Sequence, residues 1–185
     1  MIILIGGTSR AGKTLLSQKL MEKYKIPYMS IDHLKMGLYR ARGGKKCGFT
    51  PESKDEIITK KLWPIIKEII KTNIENNQSI IIEGVNLPYS INDLGKEYEQ
   101  KTIFFKICFS QEYIKNNMKK KIIRNENIIE NRGYDFEYST EDFIAVNTEI
   151  KNICKENKIK FFEIKKIYKN EIEEIYEWVE EKIKK

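Results

Sequence analysis

The sequence predicts an α/β fold, a three-layer sandwich in which helices cover both faces of a five-stranded parallel sheet. Short apolar runs recur along the chain, and stretches with helical spacing of apolar residues separate them. The runs are apolar throughout rather than alternating, which is typical of strands buried on both faces. No internal repeat or linker interrupts the 185 residues, so we expect one domain over 1–185.

The elements follow one another in a regular strand–helix order. In the first half we expect, in turn, a strand at Ile2–Ile5, a helix at Lys13–Tyr24, a strand at Tyr28–Ile31 ending at Asp32, a short helix at about Leu34–Tyr39, a Gly- and Pro-rich loop at Ala41–Pro51, and a long helix at Lys54–Asn76.

The second half continues the pattern after a third strand. The expected elements are strands at Ser79–Glu83, Thr102–Phe109 and Lys160–Ile164, and helices after Ser110, over Glu141–Asn157 and over Asn170–Ile183. Ser110 is a predicted N-cap, Ser139 or Thr140 is expected at the start of the helix over Glu141–Asn157, and Asn170 with Glu173 resembles a capping box. The polar segment of about 110–138 breaks the rhythm, and we expect it to be a small helical lid.

The composition is that of a soluble globular protein. No apolar run is long enough for a signal peptide or a membrane span, and the three cysteines show no CxxC pairing, so we expect a cytoplasmic protein with reduced thiols. The net charge of +7 comes from lysines that alternate with Glu and Asn along helical stretches. That distribution favours solvated helix faces over a nucleic-acid partner. Oligomeric state cannot be inferred from these features.

The strongest motif is a phosphate-binding loop directly after the first strand. Gly7-Thr8-Ser9-Arg10-Ala11-Gly12-Lys13-Thr14 matches G-x-x-x-x-G-K-[ST], and a helix beginning with Lys13, Thr14 and Leu15 follows. Glycines allow the backbone N–H groups to converge on phosphate oxygens at the positive end of a helix. We therefore expect residues 7–15 to bind a nucleoside triphosphate, with ATP the expected nucleotide, Lys13 on its terminal phosphates and Thr14 on Mg²⁺.

Two carboxylates follow neighbouring strands, where chemistry collects in an open parallel sheet. Asp32 is expected to take a proton from an acceptor hydroxyl or to hold the metal; its alternative role is a helix N-cap. Glu83 is expected to bind Mg²⁺ or substrate hydroxyls, or to form an ion pair with a lysine. His33, the single histidine, is expected to be dispensable.

Arginine is rare in this lysine-rich chain, and the five arginines fall in three clusters. Arginine grips phosphate or carboxylate with a planar fork that lysine lacks. We expect Lys35, Arg40 and Arg42 to bind the acceptor. Arg124 and Arg132 are expected to be catalytic and to neutralise charge in the transfer, from a lid that excludes water.

Together, Gly6–Thr14, the Asp32 segment and the Arg124–Arg132 segment resemble the small P-loop kinases related to adenylate, shikimate and gluconate kinases. Ile82–Pro88 and Gly6–Ser9 are most similar to 2-phosphoglycerate kinase, in which a histidine commonly stands at the position of Asn86. The resemblance implies a P-loop NTPase fold and transfer of the γ-phosphoryl group from ATP to a small hydroxylated or phosphorylated metabolite.

Other functions remain open. The phosphate loop is also compatible with an adenylate or other nucleotide kinase, although the loop lacks the Pro and the additional Gly usual there. A toxin-type or antibiotic-modifying kinase, a nucleic-acid end kinase, and a nucleotide-binding regulatory protein without transfer activity also fit. Neither the acceptor nor the choice of ATP over GTP can be inferred from the sequence.

Overall fold

A computed structural model describes residues 1–41, 43–44, 46–118, 122 and 139–184. The strands are β1 (Ile2–Gly7), β2 (Tyr28–Ser30), β3 (Ile80–Glu83), β4 (Thr102–Phe109) and β5 (Phe161–Ile164). The helices are α1 (Lys13–Tyr24), α2 (Ile31–Ala41), α3 (Asp55–Glu75), a 3-10 turn (Asn92–Leu94), α4 (Lys96–Glu99), α5 (Gln111–Asn117), α6 (Thr140–Glu156) and α7 (Tyr168–Ile183).

The five strands form one sheet in the order β2-β3-β1-β4-β5, and every neighbouring pair is parallel. The predicted fold class, an α/β sandwich around a five-stranded parallel sheet, is confirmed. Strand β1 lies at the centre, with Ile5 in register with Glu83 on one side and Phe105 on the other. The loop after β1 is therefore flanked by the ends of β3 and β4.

Successive residues of β1 point to opposite faces of the sheet, and both faces are buried. Ile3 and Ile5 belong to the cluster formed with α1 and α7. Ile2 and Leu4 belong to the cluster formed with α2 and α3. Burial on both faces explains why the strands carry no polar alternation.

Several element predictions are confirmed. Ser110 and Ser139 cap α5 and α6, because their hydroxyl oxygens accept from the backbone N–H groups of Tyr113 and Asp142. The helix expected over Asn170–Ile183 is present as part of α7, with Ile172, Ile175, Tyr176 and Val179 buried. None of the helices in the described residues combines the length and apolar character that a membrane crossing requires.

Other predictions were wrong. Asp32 does not end a strand, because β2 stops at Ser30 and α2 starts at Ile31. The capping box of Asn170 and Glu173 is absent from the described start of α7, which begins earlier, at Tyr168. There the Glu171 carboxylate accepts from the N–H groups of Lys165 and Lys166 instead. The two short helices between β3 and β4 were not predicted.

Candidate functional site

The loop between β1 and α1 has a backbone that requires glycine at two positions. Gly7 has a φ of 122°, and a Cβ atom there would lie 2.0 Å from the carbonyl oxygen of Ile107. Gly12 has a φ of 83°, and its Cβ would lie 1.8 Å from the hydroxyl oxygen of Tyr168. Arg10 also has a left-handed φ, of 64°. Strand β4 and helix α7 thus pack so closely on the loop that side chains at Gly7 and Gly12 would not fit.

Lys13 opens α1 immediately after the loop. Its side chain is 6% exposed, and its amine donates to the Thr8 carbonyl oxygen at 2.7 Å. The lysine thus folds back across the loop whose N–H groups are expected to meet the phosphates. Gly12 stands at the N-cap and has no side chain, and the first turn of α1 carries no acidic residue. The positive end of the helix dipole is therefore suited to an anion.

The structure brings Thr14 together with Glu83. The Thr14 hydroxyl donates to the Glu83 Oε1 atom at 3.3 Å, and Glu83 is 3% exposed at the end of β3. The Gly84 N–H donates to the carbonyl oxygen of Ile5, which holds this strand end beside the phosphate loop. Two of the three predicted metal ligands are thus neighbours in space, although 69 residues separate them in the chain.

Asp32 lies in the first turn of α2, two residues after Ser30, whose register partner is Glu83. Its Oδ1 atom accepts from the Lys35 amine at 2.8 Å. Lys35, predicted as an acceptor ligand, is therefore an ion-pair partner of Asp32 in this structure. Arg40 lies in the last turn of α2 and is exposed, about 12 Å along the helix axis from Asp32.

Some of the remaining predicted residues lie within the described part of the chain, and others lie outside it. Ala11 is buried inside the loop, whereas Leu15, predicted to bind the nucleotide, is 42% exposed on α1. Arg42, Arg124 and Arg132 lie outside the described residues. So does most of the candidate lid at 110–138, of which the structure describes 110–118 and 122.

A second loop, the β3 loop (Gly84–Ser90), follows Glu83. Its buried Asn86 donates to the Asp55 Oδ1 atom, at the start of α3, at 2.8 Å. The Leu87 carbonyl oxygen accepts from the amine of Lys106, on β4, at 2.8 Å. The β3 loop is therefore fixed on two sides, to α3 and to the central part of the sheet.

Asn147, on α6, connects the phosphate loop to the end of β4. Its Oδ1 atom accepts from the Phe109 N–H at 2.8 Å, and its Nδ2 atom donates to the Phe143 carbonyl oxygen at 2.7 Å. The same amide group donates to the hydroxyl oxygen of Thr8 at 3.4 Å. Thr8 and Asn147 are both buried, so this contact is shielded from water. The sequence did not indicate Asn147, because Phe109 and Thr8 lie far from it in the chain.

A magnesium ion bound with a nucleotide fits the Thr14–Glu83 pair. Within the described part of the chain, no group of three or more His, Cys, Asp and Glu side chains could hold a metal ion. Mg²⁺ in nucleotide sites is usually held by one or two protein oxygens, with phosphate oxygens and water completing the octahedron. A buried carboxylate in contact with a threonine hydroxyl supplies that kind of oxygen set.

The sequence matches no family model, and no curated protein matches it significantly. Solved structures do match over nearly the whole chain. Shikimate kinase from Acinetobacter baumannii, in complex with shikimate, is 12% identical with a TM-score of 0.55, over 98% of this chain and 93% of that one. A sugar kinase from Janibacter sp. HTCC2649 is 14% identical with a TM-score of 0.54, over 97% and 94%.

Dephospho-CoA kinase from Campylobacter jejuni is 13% identical with a TM-score of 0.52, over 97% of this chain and 96% of that one. These three neighbours phosphorylate different small molecules, as their names state, and share the arrangement of the sheet and its helices with this chain. At such low identity the likeness concerns the fold. The chain shares the α/β fold of these three kinases.

Proposed function

We propose that the chain is an ATP-dependent phosphotransferase that moves the γ-phosphoryl group to a small hydroxylated or phosphorylated metabolite. The observation that carries this proposal is the contact between Thr14 and the buried Glu83 beside a phosphate loop. A loop that only binds anions has no need of a carboxylate at the neighbouring strand end. A nucleotide that carries Mg²⁺ does, because the ion needs oxygen ligands.

Each residue of the site has a task in this reaction. The backbone N–H groups of residues 7–14 bind and orient the β- and γ-phosphates, and the Lys13 amine moves from the Thr8 carbonyl oxygen to a phosphate oxygen. Thr14 and Glu83 would hold the metal, and Mg²⁺ would neutralise charge on the phosphates. Asp32 accepts the proton of the acceptor hydroxyl while the hydroxyl oxygen attacks the γ-phosphorus and ADP leaves.

The arginines extend the proposal to the acceptor and to the transfer step. Arg40 and Arg42, with Lys35, bind an anionic group of the acceptor, and Arg124 and Arg132 act from a lid over 110–138. Residues Ile82–Pro88 suggest a 2-phosphoglycerate-like acceptor, on the resemblance stated above. Because the neighbouring kinases act on such different molecules, the acceptors to be tested also include sugars and nucleotides.

The first experiment measures ADP release from ATP and Mg²⁺ against a panel of acceptors. The panel contains phosphorylated hydroxy acids, sugars, nucleosides, nucleotides and a 5′-hydroxyl oligonucleotide. With the best acceptor we expect Lys13→Ala to lower kcat/KM by about a hundredfold or more, because it removes a charge contact to the transferred group. Asp32→Asn should lower kcat by about a hundredfold while ATP still binds.

The matched control is His33→Asn, which changes the exposed neighbour of Asp32. Its kcat should remain within about twofold of wild type, since its side chain points away from that of Asp32. Normal turnover by Asp32→Asn would remove the base assignment. Tight ATP binding with no active acceptor in the whole panel would instead support a nucleotide-binding regulatory protein.

A further inference from the structure

Lys106 is a buried lysine in the middle of the sheet. It belongs to β4, beside β1, and its side chain is only 1% exposed. The side chain passes over Gly6, whose Cβ, if present, would lie 3.0 Å from the Lys106 Cγ atom. A lysine amine rarely leaves water completely unless the protein supplies partners for it. Its partners therefore show what the residue does.

Apart from the Phe104 ring of β4, whose centre lies 5.9 Å away, the amine of Lys106 makes two closer contacts, both with the β3 loop. It donates to the Leu87 carbonyl oxygen at 2.8 Å and lies 3.9 Å from the centre of the Tyr89 ring. The first contact satisfies a buried carbonyl group, and the second places the amine on the face of an aromatic ring. Both contacts fall on the loop that directly follows Glu83. On its other side, the same loop is fixed by Asn86 to Asp55 of α3.

We propose that Lys106 is a positioning residue for the phosphoryl acceptor, because it fixes the β3 loop against the strand that carries the phosphate loop. The proposal rests on the proposed kinase function. Lys106 does not touch the reacting atoms itself. It sets the distance between the nucleotide side of the site, at Gly6, Lys13 and Glu83, and the acceptor side, at the β3 loop.

The charges around Lys106 give the proposal a pH-dependent signature. The groups that face its amine are Cys154 on α6, Asp55 on α3, Lys13 on α1 and Tyr89 in the β3 loop. Burial, with a smaller effect from Lys13, lowers the pKa of Lys106 to about 7. The unfolded chain keeps an ordinary lysine pKa near 10.5. Between about pH 7 and 10.5, Lys106 therefore binds more protons in the unfolded state than in the folded state. Its contribution to the free energy of unfolding consequently increases with pH in this range.

The test compares three variants with the wild type. Lys106→Met keeps the length of the side chain but removes both the charge and the donor. Lys106→Gln keeps a donor without the charge. Lys160→Met is the control, because Lys160 is exposed and its amine lies over the Phe162 ring, away from the β3 loop. Each protein is examined by hydrogen exchange of residues 84–90, by ATP affinity, and by kcat and KM for the acceptor.

For Lys106→Met we expect exchange in the β3 loop to accelerate by about tenfold, and the KM of the acceptor to rise by about the same factor. ATP affinity should stay within about twofold. Lys106→Gln should recover part of the loop protection, and Lys160→Met should resemble wild type. In urea unfolding, the stability of wild type relative to Lys106→Met should be constant below about pH 7 and increase from there to pH 9.

Unchanged loop exchange with unchanged acceptor KM in Lys106→Met would overturn the proposal, and so would equal acceleration throughout the sheet. If that variant does not fold, Tyr89→Leu removes the ring contact and leaves the lysine in place. It should loosen the β3 loop in the same way, and a loop as protected as in wild type would again contradict us. If no acceptor supports turnover in wild type, the kinase proposal fails. Loop exchange and ATP affinity then still decide whether Lys106 fixes the loop.

Discussion

Asn147 illustrates how single buried polar residues organise this site. Its amide group satisfies the N–H of Phe109 and the carbonyl group of Phe143, and it contacts the hydroxyl group of Thr8 in the phosphate loop. Because the three partners belong to β4, α6 and the loop, one side chain couples three parts of the structure. Removal of such a group leaves buried partners unsatisfied, which costs more than the loss of one ordinary hydrogen bond.

We therefore expect Asn147→Ala to destabilise the protein by about 1–3 kcal/mol. ATP affinity should also fall by about threefold to tenfold, because Thr8 loses a contact that holds the phosphate loop in place. Urea unfolding and calorimetric ATP titration measure the two effects. Asn152→Ala, at an exposed position of the same helix, is the control and should change neither quantity. Wild-type ATP affinity in Asn147→Ala would show that Thr8 does not depend on this amide.

At the residue scale, the sequence could predict contacts within a motif but not contacts between distant segments. Gly7, Gly12 and Lys13 were identified because the chemistry of a phosphate loop requires them at fixed spacing. Lys106 and Asn147 were missed because Leu87, the partner of Lys106, and Thr8 and Phe109, the partners of Asn147, lie far from them in the chain. A signal for Lys106 was present: a lysine inside the otherwise apolar run Ile103–Phe109 has to be buried with a partner.

At the scale of elements, the junction between β2 and α2 shows where local patterns fail. The apolar run Tyr28–Ile31 predicted a strand that includes Ile31, but Ile31 is the first residue of α2. Ile31 is nevertheless buried, against the Leu4 and Ile82 side of the sheet. The burial of Ile31 was thus predicted correctly, but its place in a strand was not. An apolar residue can be buried in a strand or in a helix, so the apolar run alone does not distinguish the two.

Gly84 permits this junction to form, because a Cβ atom there would lie only 2.8 Å from the Cβ atom of Ile31. We expect Gly84→Ala to push the first turn of α2 away from the end of β3. The free energy of unfolding should fall by about 1–3 kcal/mol, the usual cost of forced overpacking. Since Asp32 lies in that turn, kcat should fall more than ATP affinity does. Urea unfolding and steady-state kinetics measure the two effects.

A double-mutant cycle with Ile31→Ala identifies the cause. Removal of the Ile31 side chain makes room for the new methyl group, so Gly84→Ala should be less harmful in the Ile31→Ala background than in wild type. The rescue should be partial, because Gly84 has a φ of 159°, which side chains rarely adopt. Additive effects of the two substitutions would mean that the contact with Ile31 is not what Gly84 relieves.

At the scale of the molecule, the strand order explains why so much of the fold could be predicted and so little of the acceptor site. Apolar strands separated by helices predict a parallel sheet with active residues at its carboxyl edge, and the structure has that sheet. The proposed acceptor side depends on loops that have no periodic pattern. The contacts of Asn86 with Asp55 and of Lys106 with Leu87 arise only when β3 and β4 lie on either side of β1.

The central position of β1 also has a thermodynamic consequence. The phosphate loop contacts β3 through Thr14 and Glu83, α6 through Thr8 and Asn147, and α7 through the close approach of Gly12 and Tyr168. A ligand that binds the loop therefore binds a structure that exists only when these elements are assembled. Ligand binding should consequently stabilise the fold as a whole.

We expect ATP with Mg²⁺, at about a hundred times its dissociation constant, to raise the free energy of unfolding by about 2.7 kcal/mol. Chelation of Mg²⁺ at the same ATP concentration should remove much of this increment, and Glu83→Gln should reduce the dependence on the metal, because one oxygen ligand is lost.

Lys13→Ala serves as the control for loop binding and should show a smaller increment. Calorimetric binding together with urea unfolding tests these statements. ATP that binds tightly yet leaves the unfolding midpoint unchanged would mean that the unfolded chain binds ATP equally well, which would contradict a site that exists only in the assembled fold.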